Sequence, residues 1–258
     1  MTKEFPLESV SVETIETKYR KISGRIPNDK TIEQIKQLRE FEARSMRDQL
    51  LIVWDKAQGN NVFDAYGNKW LDLSSGVLIT NAGHSHPQIV KAIINQASKS
   101  LLTTYCFPNQ PRIDLVQKLI EISPKKLNKV FLVSTGAETT ECALKLMRTY
   151  GKKVRSDSKK YYSCICRCFS WQNTRFTADG CTGTGRVWIN LDPEIVHVPF
   201  PDGFRNENIS FDLFTETFSK LKINPDHVAG VISETYQGIA RILCRKNMRR
   251  NFASVRYL

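Results

Sequence analysis

Residues 129–150, KVFLVSTGAETTECALKLMRTY, decide how this chain folds. The run 129–134 is apolar, rich in β-branched and aromatic residues, and stops at Thr135-Gly136-Ala137, which predicts a buried strand. Beyond the turn, Ala143, Leu146, Met147 and Tyr150 fall at i, i+3, i+4 and i+7, the spacing of a helix with that face on a core. A helix start leaves backbone N–H groups without partners and carries partial positive charge, so a Gly-Ala turn lets a phosphate come close to those donors. Thr135 adds a hydroxyl at the rim. The same residues would also make an ordinary strand-to-helix turn capped by Thr135, and the turn alone does not choose between the two.

With 258 residues, 41% of them apolar, the chain can bury a substantial core as one large or two modest domains. It has no apolar run of membrane-spanning length, and its start, MTKEFPLESVSVETIE, lacks the basic-then-apolar layout of a signal peptide. Both features predict a cytoplasmic protein with no membrane partner. The net charge of +12 would ordinarily suggest nucleic acid or another anionic partner. Its distribution argues against that. Residues 152–188 hold eight Lys or Arg against two Asp, residues 239–258 hold six against none, and the rest of the chain is neutral. Five of the seven cysteines, Cys164, Cys166, Cys168, Cys181 and Cys244, lie in the same two segments.

In chain order, residues 1–30 show little periodicity and read as an extended arm. Thr31 with Gln34 has the form of a capping box, and Ile32, Ile35 and Leu38 predict a helix ending near Arg47. Short β-prone runs broken at Gly59-Asn60 and Tyr66-Gly67-Asn68 predict an antiparallel meander in which Trp54, Phe63 and Trp70 pack on one another. Gly76 and Gly83 bracket a loop, and Pro87 opens a helix with Ile89, Val90, Ile93, Ile94 and Ala97 on its core face. His84 and His86 invite a metal reading, but two imidazoles with no acidic or cysteine ligand nearby fit better as loop residues bonded to backbone. A further helix starts at Pro111 and stops by Pro124, residues 195–198 and 228–233 read as buried strands, and Ser210 caps a helix bearing Leu213, Phe214, Phe218 and Leu221. Strands alternating with helices predict an α/β fold with a mostly parallel sheet and a small antiparallel piece before it.

The run VFDAYGNKWLDLSSGVLITNAGHSHPQIVKAIINQ, followed by STGAETTECALKLMR, NLDPEIVHVPFPDG and VAGVISETYQG, resembles the class III pyridoxal-phosphate aminotransferases, in particular the 4-aminobutyrate and acetylornithine aminotransferase group. The resemblance covers roughly two-thirds of the chain in consistent order, far more than one motif. It implies a fold-type I architecture, with residues 1–75 in a smaller domain and 76–258 in the cofactor domain. It implies pyridoxal 5'-phosphate as cofactor, with Thr135, Gly136 and Ala137 at its phosphate. It places Val77 on the substrate side of the pocket and makes Glu234 an organiser of the substrate site. Relatives are homodimers and move an amino group from a small-molecule donor, here a 4-aminobutyrate-like ω-amino acid, to 2-oxoglutarate. Glu234 could equally be a carboxylate capping a neighbouring loop.

The resemblance fails where the composition is odd. After Lys160 the family pattern is an aromatic that stacks on the cofactor ring, then His-Gly-Arg-Thr, whereas this chain reads Phe169-Ser170-Trp171-Gln172-Asn173-Thr174. Codons TTT TCA TGG CAG AAC ACT CGG TTC are allowed for residues 169–176, and read one base later they give Phe-His-Gly-Arg-Thr-Leu-Gly. From Arg245 to Phe252 the allowed codons CGG AAG AAT ATG CGA AGG AAC TTT, shifted back one base, give Pro-Glu-Glu-Tyr-Ala-Lys-Glu-Leu. Segments 158–187 and 239–258 therefore read as translated out of frame, with the excess charge and clustered thiols as by-products. Phe169 stands at the position of the ring-stacking aromatic.

A transaminase of this kind needs a lysine to tether its cofactor and an Asp to keep the pyridine nitrogen protonated. Both are expected downstream of Glu234, where the one lysine, Lys246, sits in no matching context. The resemblance thus implies a lineage whose activity these residues do not complete. Two readings of other classes compete with it. A nucleic-acid module would use the basic segments with Tyr161, Phe169 and Trp171 as stacking groups, but the basic residues show no periodicity. A metal site at Cys164, Cys166, Cys168 and Cys181 would need an unusual one-residue spacing.

Overall fold

The structure, a computed structural model, describes residues 5–43, 49–104, 106–155, 161–165, 192–200, 203, 207–234, 236–237 and 242–243. They belong to two compact units, Met1–Gln117 and Lys118–Leu258.

The first unit opens with four short strands, β1 (Val10–Ser11), β2 (Ile15–Glu16), β3 (Lys21–Ile22) and β4 (Arg25–Ile26), followed by helix α1 (Asp29–Phe41). The expected free arm is therefore folded back on itself: β1 pairs with β4 and β2 with β3, all antiparallel. Ile22 is buried, which gives that folding its apolar driving force. Helix α1 is capped by Asn28, whose side chain accepts from the Thr31 amide at 2.8 Å. Thr31, expected as the cap, lies inside the helix and is buried, and the Gln34 side chain accepts from the Tyr66 hydroxyl instead of closing a capping box. The helix stops at Phe41 rather than near Arg47.

Strands β5 (Lys56–Gln58), β6 (Asn61–Phe63) and β7 (Lys69–Leu71) form the expected meander and join β3 and β2 in a five-stranded antiparallel sheet of order β2-β3-β7-β6-β5. Register sets Val62 opposite Trp70 and Phe63 opposite Lys69. Neighbouring strand residues face opposite sides, so Phe63 and Trp70 lie on different faces and the predicted aromatic trio does not form. Trp54 sets its ring edge-on to His84 instead, with centroids 5.6 Å apart. After the short turn α2 (Ser75–Leu78) come α3 (Pro87–Ala97), opened by Pro87 as predicted, and α4 (Gln110–Ile122). The expected core face of α3 is exposed at Ile89, Val90, Ile93 and Ile94, and forms an open apolar groove with Leu102, because no described segment packs on it.

The second unit contains α5 (Gly136–Arg155), β8 (Tyr161–Ile165), β9 (Ile195–Val198), α6 (Asp212–Lys220) and β10 (Val228–Ile232), then a small hairpin of β11 (Tyr236–Gln237) and β12 (Ile242–Leu243). β8 lies between β10 and β9 in a parallel sheet. The parallel α/β core holds the predicted strands β9 and β10, but its middle strand, β8, was not predicted and lies in the segment 158–187 that reads as out of frame. Two further details differ. Residues 129–133 carry no strand and are exposed, Phe131 at 76%, since a strand exists only through a ladder partner and no described segment supplies one. The buried stripe of α5 runs through Leu144, Met147 and Gly151, while Leu146 and Tyr150 face outward. Leu144 meets Ile195, with Met147, Ala229 and Ile232 packed beside them. On the other side Phe214 and Phe218 close over Val196 and Val198, their rings edge-to-face at 4.5 Å. Ser210, expected as the cap, lies one residue too early: Phe211 stands at the N-cap with no side-chain capping bond, Ser210 Oγ only accepts from the Asp212 amide at 3.2 Å, and Leu221 is exposed.

Gly230 lets α5 approach β10 closely. A Cβ there would run into Sδ and Cγ of Met147. Valine at 230 is expected to destabilise the unit by about 1–3 kcal/mol through overpacking. A Met147→Ala change in the same chain should recover part of the loss, which a double-mutant cycle by denaturant unfolding would register.

Candidate cofactor site

The turn before α5 is built by its own side chains. Thr135 Oγ1 accepts from the Glu138 amide at 3.1 Å, and Glu138 Oε2 accepts in return from the amides of Ser134 at 2.7 Å and Thr135 at 3.0 Å. This reciprocal capping fixes where the helix begins. It leaves Gly136 and Ala137 as the first helical residues, with their amides along the axis of a 20-residue helix. A Cβ on Gly136 would meet nothing within 4 Å, so the space in front of the turn is open. The Thr135 hydroxyl oxygen is used as an acceptor, and its proton can still donate to an anion.

The position of this turn in the unit follows from Arg148. Its guanidinium bonds Asp192 Oδ2 at 2.6 Å and lies 3.6 Å from Glu194 Oε2, immediately before β9. That end of α5 therefore sits at the N-terminal edge of the parallel strands. Gly136 lies twelve residues earlier along the helix, about 18 Å away, and so reaches the C-terminal edge. Glu234 follows β10 at that same edge, half-buried, its carbonyl accepting from Ser233 Oγ at 3.1 Å. The carboxyl edge of a parallel sheet is where open α/β folds place ligands. A helix N-terminus with a hydroxyl and a glycine at its lip could hold a phosphoryl group.

Val77 belongs to the first unit and sits in α2, which is a left-handed turn: φ is 53° at Ser75, 58° at Gly76, 62° at Val77 and 65° at Leu78. The amides of Leu78 and Ile79 donate to the carbonyls of Ser74 and Ser75 at 2.8 and 2.9 Å. For residues with a Cβ this conformation costs about 1–2 kcal/mol each. Val77 is 77% exposed. Phe169 lies outside the described residues, as do Trp171, Cys166, Cys168 and Cys181 of the competing readings.

His84 corrects one expectation. It does have an acidic neighbour: its Nε2 donates to Asp72 Oδ2 at 2.7 Å, with side-chain exposures of 9% and 5%. The contact with His84, then the Ser74 hydroxyl, holds the Asp72 carboxyl well below the usual carboxylate range; burial opposes this, and the Ser74 and Gly76 amides add to it. His86 is the backbone-bonded imidazole that was expected, its Nδ1 accepting from the Gln88 amide at 3.3 Å. Among the described residues no group of three or more potential ligands could hold a metal, and no helix is long and apolar enough to cross a membrane. Asp72 was missed in the sequence because twelve residues separate it from His84 and no periodicity links them.

Comparison with known proteins supplies the family. The family model "Aminotransferase class-III" matches residues 43–246. A succinylornithine transaminase/acetylornithine aminotransferase of Pseudomonas aeruginosa is 31% identical over 150 residues, 57% of this chain and 36% of that protein. Gamma aminobutyrate transaminase 2 of Solanum lycopersicum is 30% identical over 221 residues, 80% of this chain and 48% of that protein. Among solved structures, acetylornithine aminotransferase from Elizabethkingia anophelis superposes with a TM-score of 0.65 at 23% identity, covering 87% of this chain and 50% of that one. The omega transaminase from Pseudomonas jessenii in complex with PMP gives a TM-score of 0.74 at 20% identity over 85% and 52%. The chain thus spans a third to a half of the length of these curated relatives, and its fold is that of the fold-type I transferases. The coenzyme of this family is pyridoxal phosphate. On the match of residues 43–246, the chain belongs to the class-III aminotransferases.

Proposed function

We propose that this chain derives from an enzyme transferring an amino group from a 4-aminobutyrate-like ω-amino acid to 2-oxoglutarate, and that it retains the phosphate end of the coenzyme site. The observation that carries the proposal is the open N-terminus of α5 at Gly136, set at the carboxyl edge of the sheet. The amides of Gly136 and Ala137 and the Thr135 hydroxyl would hold the phosphate, with Glu138 fixing the turn. Bound pyridoxal phosphate supplies an electron sink for the carbon that carries the amino group. On this reading Glu234 and Val77 serve the substrate side and Phe169 stands at the ring. By likeness to the family, residues 1–75 would form the smaller domain and 76–258 the cofactor domain, whereas the compact units of the chain divide between Gln117 and Lys118. Cytoplasmic location and a homodimer are part of the same proposal, by likeness to the family.

A substitution at Gly136 tests the phosphate site cleanly. Because a Cβ there would touch no protein atom, Gly136→Val should leave the melting temperature unchanged. It should weaken pyridoxal phosphate binding by about tenfold or more, the worth of charge-assisted hydrogen bonds to the phosphate. Fluorescence titration with pyridoxal phosphate, with pyridoxal and inorganic phosphate as competitors, reads this directly. Equal affinity in the two proteins would remove the site.

We also propose that these 258 residues alone do not complete a turnover, since Lys246 and its surroundings match no tethering lysine, and that segments 158–187 and 239–258 are out of frame. Purified chain mixed with 4-aminobutyrate and 2-oxoglutarate should form no glutamate above the enzyme-free control. Steady product formation would overturn the first statement, and the nucleotide sequence across codons 155–190 and beyond 238 decides the second.

A further inference from the structure

The left-handed turn at Ser75–Leu78 gains little from apolar burial, because Val77, Leu78 and Ile79 are all exposed. What surrounds it is polar. One carboxylate, that of Asp72, binds the turn at three places. Its Oδ1 accepts from the amide of Ser74 at 2.8 Å and from the Ser74 hydroxyl at 2.7 Å, and its Oδ2 accepts from the Gly76 amide at 2.7 Å and from His84 Nε2 at 2.7 Å. Both partners are anchored to one hairpin. The Asp72 amide donates to the Asn60 carbonyl at 2.9 Å, while His84 and Gly59 exchange backbone hydrogen bonds at 2.8 and 2.9 Å. The His84 ring is held edge-on by Trp54, and its Cε1 would lie 3.6 Å from a Cβ placed on Gly76.

We infer that Asp72 and His84 form a clasp across loop 72–84 that keeps Ser75–Leu78 left-handed, and so act as positioning residues for Val77. The functional half of this inference rests on Val77 facing the substrate; the structural half does not. Three of the four turn residues carry a Cβ that disfavours the conformation, so the turn persists only while something outside it over-determines it. The Asp72 carboxylate, fixed by His84 on the hairpin side, is that agent.

The test is amide exchange by NMR on the whole chain, with the Cα shifts of Val77 and Leu78 reporting handedness. In His84→Ala the amides of Leu78, Ile79 and Thr80 should exchange about tenfold faster or more, the equivalent of one charge-assisted hydrogen bond, and the left-handed shifts should disappear. The β6–β7 ladder should keep its protection. His84→Gln, whose side-chain amide can still donate to Asp72, should restore slow exchange, a rescue that a packing role against Trp54 would not allow. Asp72→Asn should behave like His84→Ala and serves where the alanine variant does not fold. Unchanged exchange in both His84→Ala and Asp72→Asn, or a His84→Gln variant as impaired as the alanine, would overturn the clasp. Since the readout is the turn itself, a later finding that Val77 touches no substrate would bear only on the functional reading.

Discussion

Leu144→Ala is expected to lower the stability of the second unit by about 2–5 kcal/mol in denaturant unfolding, the cost of deleting a fully buried leucine and leaving a cavity. Leu144 is 0% exposed and is the point at which α5 meets Ile195 of β9, with Ala229 and Ile232 of β10 alongside. Leu146, two residues on and of the same type, is 62% exposed, and its replacement by alanine should stay within about 0.5 kcal/mol. The contrast matters for the site as well as the core. The Gly136 amide reaches the carboxyl edge of the sheet only because α5 is held along the strands by Leu144 and, nearer its other end, by the Arg148–Asp192 pair. Pyridoxal phosphate affinity should therefore fall with Leu144→Ala and not with Leu146→Ala. Equal losses of stability from the two changes would mean that the helix is not docked by the face described.

That contrast also shows what the sequence can and cannot carry. The spacing at Ala143, Leu146, Met147 and Tyr150 correctly predicts a helix, because periodicity reports the repeat of the backbone. Which side the sheet occupies is a tertiary fact, and the stripe through Leu144, Met147 and Gly151 fits the same 3.6-residue repeat. The turn at Thr135-Gly136-Ala137 was legible as a helix start, but those residues alone fit an ordinary strand-to-helix turn equally well, and only the family resemblance favours a phosphate there. The lock on that turn is also written in the sequence, since Thr135 followed by Glu138 has the form of a capping box. Residues 129–134 fail for a different reason, because a strand needs a partner that its own composition does not supply. The pairing of Asp72 with His84 lies furthest from sequence reach. Neither residue signals the other, and only the hairpin at Gly59 and Asn60 brings both to one place.

Acid should release that pair. The Asp72 carboxyl is held well below the usual carboxylate range, first by the His84 contact and then by the Ser74 hydroxyl. In the unfolded chain an aspartate titrates near pH 3.9, so as pH falls the unfolded state takes up the proton before the folded state does. The stabilisation from Asp72 is fully present above about pH 4 and is lost progressively as the pH drops toward the lowered folded value. Denaturant unfolding of the first unit, followed through the amides of β5–β7, should therefore steepen in its pH dependence below about pH 4. His84→Ala removes the largest cause of the lowered value, so it should flatten that slope by up to one proton. At neutral pH it should cost about 1–2 kcal/mol, the worth of one charge-assisted hydrogen bond to a part-buried carboxylate that keeps its Ser74 and Gly76 donors. If the wild-type and His84→Ala slopes coincide between pH 4 and 2, the carboxylate is stabilised by the Ser74 and Gly76 donors alone, and His84 contributes only its contact with Trp54.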